Sequence, residues 1–297
     1  MTDVLGTLES FDEEALTLRR EDGDVVTIER ALLVTGKPVP PRASTRLRIS
    51  PEQLERICEL GWRAPVEQPL GDWMLRAAGG FTGRTNSARV GGDPGIDTDA
   101  AIDAVAEFYA GHGLPPMVQV VVDTGWQRQF ERRGWIPARP DGQDALVQVA
   151  SVAQALRSRH AAAGASDVAL QDTVTDDWMT LYGRAVGIDP GVVRSVMESG
   201  DHVAFARIGD PVVAIGRAVV TGDWMGLQAV EVAPSHRRRG LATRVVDALL
   251  DWGASSGALS AYLQTVADNP AALRLYEGYG FVTHHAYRYL RPPAVRT

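Results

Sequence analysis

The chain has almost no cysteine. A single Cys58 in 297 residues excludes an internal disulfide and leaves too few thiols for a cysteine-built metal site. It stands in LERICELGW, at helical spacing from Leu54 and Ile57, where a small thiol is expected to fill core space. Long apolar runs are missing too. No stretch of 18 apolar residues exists, so no membrane-spanning helix is expected. The N-terminal MTDVLGTLESFDEE is acidic and lacks a basic-then-apolar leader pattern. Excess positive charge is absent: 30 Lys and Arg against 37 Asp and Glu give a formal charge of −7. That removes any global electrostatic case for nucleic acid or a membrane surface as partner. Lysine itself is nearly missing, since Lys37 is the one lysine among the 30 basic residues. This reads as a coding bias toward arginine. A cytoplasmic protein is expected.

What is present is 45% hydrophobic residues, enough for two or three small domains with their own cores. Residues 1–42 hold a small β unit. Its short alternating stretches VLGTLES, EALTLRRED, GDVVTIER and ALLVTG are broken by Asp12-Glu13 and Asp22-Gly23-Asp24. It reads as an incomplete SH3-like barrel, and its acidic residues argue against nucleic acid. GKPVPPRAST (36–45) is a proline-rich linker. Residues 50–150 form the next domain, opened by Ser50-Pro51-Glu52 as a capped helix start. Residues 151–167, rich in Ala and Ser, read as a second linker, partly helical, before a domain at 168–293.

The two larger domains share one order of elements. Each runs through strands, a turn, an amphipathic helix, a strand, a short helix ending in glycine, and a last strand. QRQFERRGW (127–135) matches LRLYEGYGF (273–281), pairing Phe130 with Tyr276, Gly134 with Gly280 and Trp135 with Phe281. An ancient duplication accounts for both likenesses.

VEVAPSHRRRGLATRVVDALLDW (230–252) is the most informative stretch. A strand ends at Val232, a polar turn follows, and RRRGLA opens a helix. First-turn amides lack intrahelical partners and the macrodipole makes that end positive. Gly240 and Ala242 let an anion approach the main chain closely. Three arginines in the first turn would oppose the dipole, a conflict that a bound anion resolves.

V-x-P-x-x-R-R-x-G-L-A at residues 232–242 resembles the acetyl-CoA motif of the GNAT N-acetyltransferase superfamily, with its core at Arg237, Gly240 and Ala242. NPAALRLYEGYGF (269–281) resembles that family's second motif. The resemblance covers 168–293. In 50–150 the first motif is replaced by GGDPGIDTDAAIDAV, whose Asp97 and Asp99 would repel a pyrophosphate. The front domain therefore looks like a degenerate GNAT-like domain, in a tandem layout similar to that of mycothiol synthase. The implied fold is α/β: tandem domains with mixed, mostly antiparallel sheets flanked by helices, behind a small β-barrel-like unit.

The resemblance implies direct acetyl transfer, without a metal, from acetyl-CoA to a primary amine of a small molecule or peptide in a ternary complex. It places pantetheine along Val230, Glu231 and Val232. The phosphates fall on Arg237, Arg238, Arg239, Gly240, Leu241, Ala242 and Thr243. Asn269 and Tyr276 complete the cosubstrate site. Tyr276 is the implied acid toward the leaving thiolate; a phenol of pKa about 10 lies only a little above a thiol of about 8.5. Glu231 is the candidate base, since an amine of pKa about 10.4 must shed a proton. Its other reading is a solvated strand-face carboxylate. Asn269 has a second role open to it, capping the helix at Pro270. A non-catalytic acyl-CoA-binding regulatory module is the alternative function, and the retained Tyr276 and Glu231 speak against it. Monomer and homodimer both remain open.

Among the histidines, His202 reads as a surface residue, and His236 precedes the arginines, where a phosphate contact is the lesser reading. His284 and His285 are adjacent on a strand, so their side chains are expected on opposite faces. AAGGFTGRTNSA (77–88) looks like a phosphate cradle but lacks the Lys-Ser/Thr pair and following helix of one. Its glycines read as a bulged strand connection. Arg84, Thr85 and Asn86 either stitch that turn or line the amine pocket.

Overall fold

The computed structural model describes residues 4, 6–20, 23–35, 45–139, 143–158 and 167–293. The chain divides into two compact units, Met1–Ala43 and Ser44–Thr297. In the first, β1 (Thr7–Phe11), β2 (Ala15–Arg19) and β3 (Val25–Glu29) form an antiparallel sheet in that order. Asp12 shapes the first turn, its carboxylate accepting from the amides of Glu14 at 2.9 Å and Ala15 at 2.8 Å. ALLVTG, read above as a fourth strand, begins instead as a 3-10 turn at Arg30–Leu32, closed by Leu33 N–H donating to Arg30 O at 3.1 Å. The described residues of this unit thus form an open three-stranded sheet. The proline-rich linker at 36–44 and residues 159–166 of the second linker lie outside the described residues.

The second unit opens with α1 (Thr45–Arg48) and α2 (Pro51–Leu60). Ser50 starts α2 as the sequence anticipates. Its hydroxyl accepts from Gln53 N, and Gln53 Oε1 accepts from Ser50 N, each at 3.2 Å. β4 (Val66–Leu70), β5 (Trp73–Ala77), β6 (Ala88–Val90), α3 (Thr98–Gly111), β7 (Val118–Val121), α4 (Gly125–Arg132), β8 (Ile136–Pro137), β9 (Ala145–Ser151) and α5 (Val152–Arg157) follow. The rest is β10 (Val168–Gln171), α6 (Asp176–Leu181), α7 (Pro190–Met197), β11 (His202–Ile208), β12 (Ala214–Thr221), β13 (Trp224–Val232), α8 (Leu241–Ser255), β14 (Ser260–Val266), α9 (Pro270–Glu277) and β15 (Val282–Arg291). None of the described helices is long and apolar enough to cross a membrane.

These strands make one sheet in the order β10-β11-β12-β13-β14-β9-β15-β7-β6-β5-β4, with β8 paired to β15. Two neighbouring pairs among the described residues are parallel, β6 with β7 and β13 with β14; the others are antiparallel. Each half thus carries one parallel pair at the same place in its order. The halves exchange their last strands. β9 of the front half pairs with β14 of the back half from Ala145↔Val266 to Ser151↔Ser260. β15 of the back half pairs with β7 of the front half. A joint core results, in which Leu54 and Cys58 of α2 meet Val147, Val149, Tyr262 and Tyr287. Cys58 is 3% exposed, the core filler its spacing suggests, and burial pushes its thiol pKa up. Elsewhere α8 lays Val245 and Leu249 on Leu227 and Leu263, while α3 lays Ile102 and Tyr109 on Trp73 and Val118.

The short repeat in the sequence is also a repeat in space. Trp135 N donates to Phe130 O at 3.0 Å, and Phe281 N to Tyr276 O at 3.1 Å. Gly134 and Gly280 take left-handed φ values of 81° and 77° after their helices. The ring pairs Phe130–Trp135 and Tyr276–Phe281 are both edge-on, with centroids 4.9 and 5.6 Å apart. The hydroxyl of Tyr276 has no counterpart on Phe130.

Candidate active site

The parallel pairing of β13 with β14 runs from Trp224↔Ser260 to Leu227↔Leu263. Beyond it β13 bulges: its register against β12 shifts between Ile215 and Arg217, opposite Ala229, which holds a left-handed φ of 51°. A non-glycine residue there is strained, and bulges re-aim a strand. After the bulge Ala233 N donates to Val213 O at 2.8 Å. Alternation along the strand then turns the N–H groups of Val230 and Val232 toward the edge away from β12. Those two residues bracket the pantetheine contact that the resemblance implies.

A cleft of about 350 Å³ opens at this divergence, and Val230, Glu231, Asn269 and Tyr276 all line it. Glu231 is half-buried and accepts from Gly183 N at 3.4 Å. Burial raises its carboxyl pKa, opposed by the Gly183 amide and the charges of Arg184 and Arg237. Tyr276 is 7% exposed, and its hydroxyl makes no hydrogen bond among the described residues. Burial pushes its phenol well above the ordinary value. The gap to a thiol is therefore wider than the sequence reading allows. The same dry surroundings also raise the pKa of a thiolate, so the two anions are disfavoured together. Asn269 caps α9, its Oδ1 accepting from Ala272 N at 3.1 Å, while still facing the cleft.

The basic turn differs from its sequence reading in one respect. Helix α8 starts at Leu241, so Arg237, Arg238 and Arg239 precede the helix and do not occupy its first turn. Arg238 and Gly240 hold φ of 63° and 75°, which ends any helix through them. Gly240 is the N-cap, with no capping side chain and open space within 4 Å where a Cβ would stand. The amides of Leu241, Ala242 and Thr243 are therefore left to an outside acceptor. Arg237 Nε donates to Val232 O at 3.3 Å, and Arg239 Nη2 to Ser235 O at 3.2 Å. Tyr279, which sequence reasoning passed over, ties the two motifs together: its hydroxyl donates to Asp247 Oδ1 at 2.7 Å and lies 3.2 Å from Thr243 O.

The corresponding place in the front half is closed. Asp97 caps α3, and its Oδ1 accepts from Asp99 N at 2.9 Å and Ala100 N at 3.3 Å. The amides an anion would need are taken by a carboxylate.

The loop at 77–88 divides its roles. Asn86 stitches the turn: its Oδ1 accepts from Ala78 N at 2.9 Å and Gly80 N at 3.0 Å, and its Nδ2 donates to Phe81 O at 2.8 Å and Thr82 O at 2.9 Å. Buried Thr85 donates to Phe81 O as well. Arg84 instead lines the cleft, with Nη1 donating to Gln264 Oε1 at 2.8 Å. Arg139, Tyr287 and Tyr289 also line it and were missed. The i, i+2 spacing of the two tyrosines on a strand was the available signal.

His284 and His285 do not face apart as the alternation predicts. A register shift between Thr283 and His285 brings their Nδ1 atoms to 2.8 Å. His285 Nε2 reaches Glu55 Oε1 at 2.9 Å and His284 Nε2 reaches Ile49 O at 3.0 Å. The pair closes the joint core and lines no part of the cleft.

Residues 52–290 match the family described as Probable histone acetyltransferase Rv0428c C-terminal. The chain is 28% identical over 308 aligned positions to Probable histone acetyltransferase Rv0428c of Mycobacterium tuberculosis, covering 99% of this chain and 90% of that one. It is 25% identical over 251 positions to the Uncharacterized N-acetyltransferase YobR of Bacillus subtilis, covering 80% and 98%. A solved tandem GNAT protein from the clavulanic acid biosynthesis pathway shares the fold, with a TM-score of 0.55 at 12% identity over 82% of this chain and 89% of that one. With the basic turn, the diverging strands and the matched span in agreement, the chain belongs to the Rv0428c C-terminal acetyltransferase family and is an acetyl-CoA-dependent N-acetyltransferase of the GNAT superfamily.

Proposed function

We propose that the β13/β14 cleft is where a primary amine is acetylated, and that the front half carries no second cosubstrate site. The observation that carries this reading is the convergence in one cleft of Glu231, Tyr276 and the open edge of β13, beside an uncapped helix start. Acetyl-CoA, when bound, supplies the thioester. The amides of Val230 and Val232 hold the pantetheine arm and polarise the thioester carbonyl. The residues from Arg238 to Thr243 hold the pyrophosphate through main-chain N–H groups, and the guanidinium groups nearby add charge. Glu231 takes the amine proton, directly or through one water. A carboxylate with a raised pKa is better matched to that task than an ordinary one. Tyr276 protonates the departing sulfur. A small molecule or an exposed peptide amine fits an opening of this size.

The test separates binding from chemistry. Gly240→Val places a β-branched residue at a left-handed φ and fills the open space at the helix start. Acetyl-CoA affinity by isothermal titration is expected to fall at least about tenfold, the equivalent of 1.4 kcal/mol. Glu231→Gln is expected to keep that affinity and lose thiol release. Unchanged affinity in Gly240→Val overturns the cosubstrate site. Full turnover in Glu231→Gln overturns the base.

A further inference from the structure

The cleft is chemically lopsided. Three arginines line it, Arg84, Arg139 and Arg184, and Glu231 is the one carboxylate among its described lining residues. Arg184 is exposed in the turn whose Gly183 amide reaches Glu231. Arg84 and Arg139 are half-buried, and neither ion-pairs with a carboxylate among the described residues. Half-buried guanidinium groups are ordinarily paired, because removing charge from water without a counter-charge is costly.

Their surroundings hold them ready. The Arg84 guanidinium lies over the Trp62 ring at 4.4 Å and gives one N–H to neutral Gln264. Arginine has five N–H donors, so most of the fork stays available. Arg139 lies over the Tyr289 ring at 5.7 Å. Tyr287 and Tyr289 present their hydroxyls 3.5 Å apart, both buried, and burial keeps them protonated as donors. Gly83 admits Tyr289 to this place, since a Cβ there would stand 2.9 Å from the ring. Two stacked guanidinium forks and two phenols thus line a site whose one carboxylate among the described residues is Glu231.

We propose that the acceptor is an amine that also carries an anionic group, a carboxylate or a phosphate, seated on Arg84 and Arg139 above Tyr287 and Tyr289. The amine end then lies toward Glu231, so the cleft reads both poles of a zwitterion. This rests on the acetyl-transfer reading of the cleft. It excludes an arginine- and lysine-rich tail as the preferred acceptor, because such a tail would bring further cations against arginines that no described carboxylate pairs.

Thiol release is measured at saturating acetyl-CoA with ethanolamine, O-phosphoethanolamine, β-alanine, the standard amino acids and a histone H3 tail peptide. Acetyl-CoA affinity is measured in parallel by titration. At least one anionic amine is expected to exceed ethanolamine and the peptide about tenfold or more in kcat/KM. Phosphoethanolamine against β-alanine tells phosphate from carboxylate. Arg84→Gln and Arg139→Gln are each expected to cut that preference about tenfold through KM, with acetyl-CoA affinity within twofold of wild type. A preference for ethanolamine or the peptide overturns the proposal. So does a loss of acetyl-CoA affinity in the arginine variants, or no turnover of any anionic amine by protein that binds acetyl-CoA. Failure to bind acetyl-CoA at all strikes instead at the reading of the cleft itself.

Discussion

Arg217→Met tests how the two halves are held around the cleft. Arg217 is fully buried on β12 and has no carboxylate partner among the described residues. Its Nε donates to Met197 O at 2.6 Å, its Nη1 to Gly61 O at 3.0 Å and to Gln228 Oε1, and its Nη2 to Ser199 O at 2.5 Å. Gly61 caps the C-terminus of α2, and Met197 ends α7. The negative ends of two helices, one from each half, therefore supply the counter-charge. Burial pushes the pKa of Arg217 down to about 9, which leaves it charged at neutral pH. Methionine fills the volume and leaves Met197 O, Ser199 O and Gln228 Oε1 without this donor, while Gly61 O keeps Gln228 Nε2 at 3.4 Å. At about 1–3 kcal/mol for each buried group left unpaired, the gross loss is about 3–9 kcal/mol. Relief from burying a cation offsets part of it, so the net expectation is a loss of about 3–5 kcal/mol. Urea unfolding of the whole chain should show an earlier midpoint with an unchanged slope. Melting should fall by roughly 6–20 °C, at about 2–4 °C per kcal/mol for a domain of this size. A loss below about 1 kcal/mol would show that Arg217 is not the link between the helices.

Three further outcomes follow from the site. In Glu231→Gln, kcat/KM should fall by about 10²–10³, and the acid limb of its pH profile should disappear. In wild type that limb should lie above the ordinary carboxylate range, with activity lost as pH falls, because burial raises the pKa of a base that works ionised. For stability the sign is reversed: the raised folded pKa favours the fold at low pH, and that contribution is lost as pH rises through it. Glu231→Gln should therefore be no less stable than wild type at pH 7 by thermal melting, and a clear loss would contradict its half-buried placement. Tyr276→Phe should lower kcat about tenfold or more and leave acetyl-CoA affinity intact, since the ring keeps its contact with Phe281; equal kcat would mark Tyr276 as packing alone. Tyr262→Phe should melt higher, because the buried Tyr262 hydroxyl has no hydrogen-bond partner among the described residues; removing it recovers up to about 1–3 kcal/mol, and a lower melting point would reveal a hidden partner.

The sequence carried the basic turn, the second motif and the helices well, because each is a local signal. Ser50, Asn269 and Gly280 act through neighbours within five residues, where chain geometry decides. The exchange of β9 and β15 left no local trace, since a buried strand reads the same whichever strand it pairs with. That exchange brings Tyr287, Tyr289 and Arg139 to the cleft, so these lining residues were hidden. His284 and His285 were misread because alternation assumes an unbroken ladder, and a register shift breaks it. The glycine loop at 77–88 was legible as a turn but not as a cleft wall. Its Arg84 acts across 180 residues on Gln264.

The most direct measurement is a crystal structure of the protein with acetyl-CoA bound. The pyrophosphate is expected on the main-chain amides from Arg238 to Thr243 and the pantetheine along Val230 and Val232. The thioester should lie in the cleft between Glu231 and Tyr276. A pyrophosphate at the start of α3 or on residues 79–86, or a pantetheine away from the open edge of β13, would contradict it.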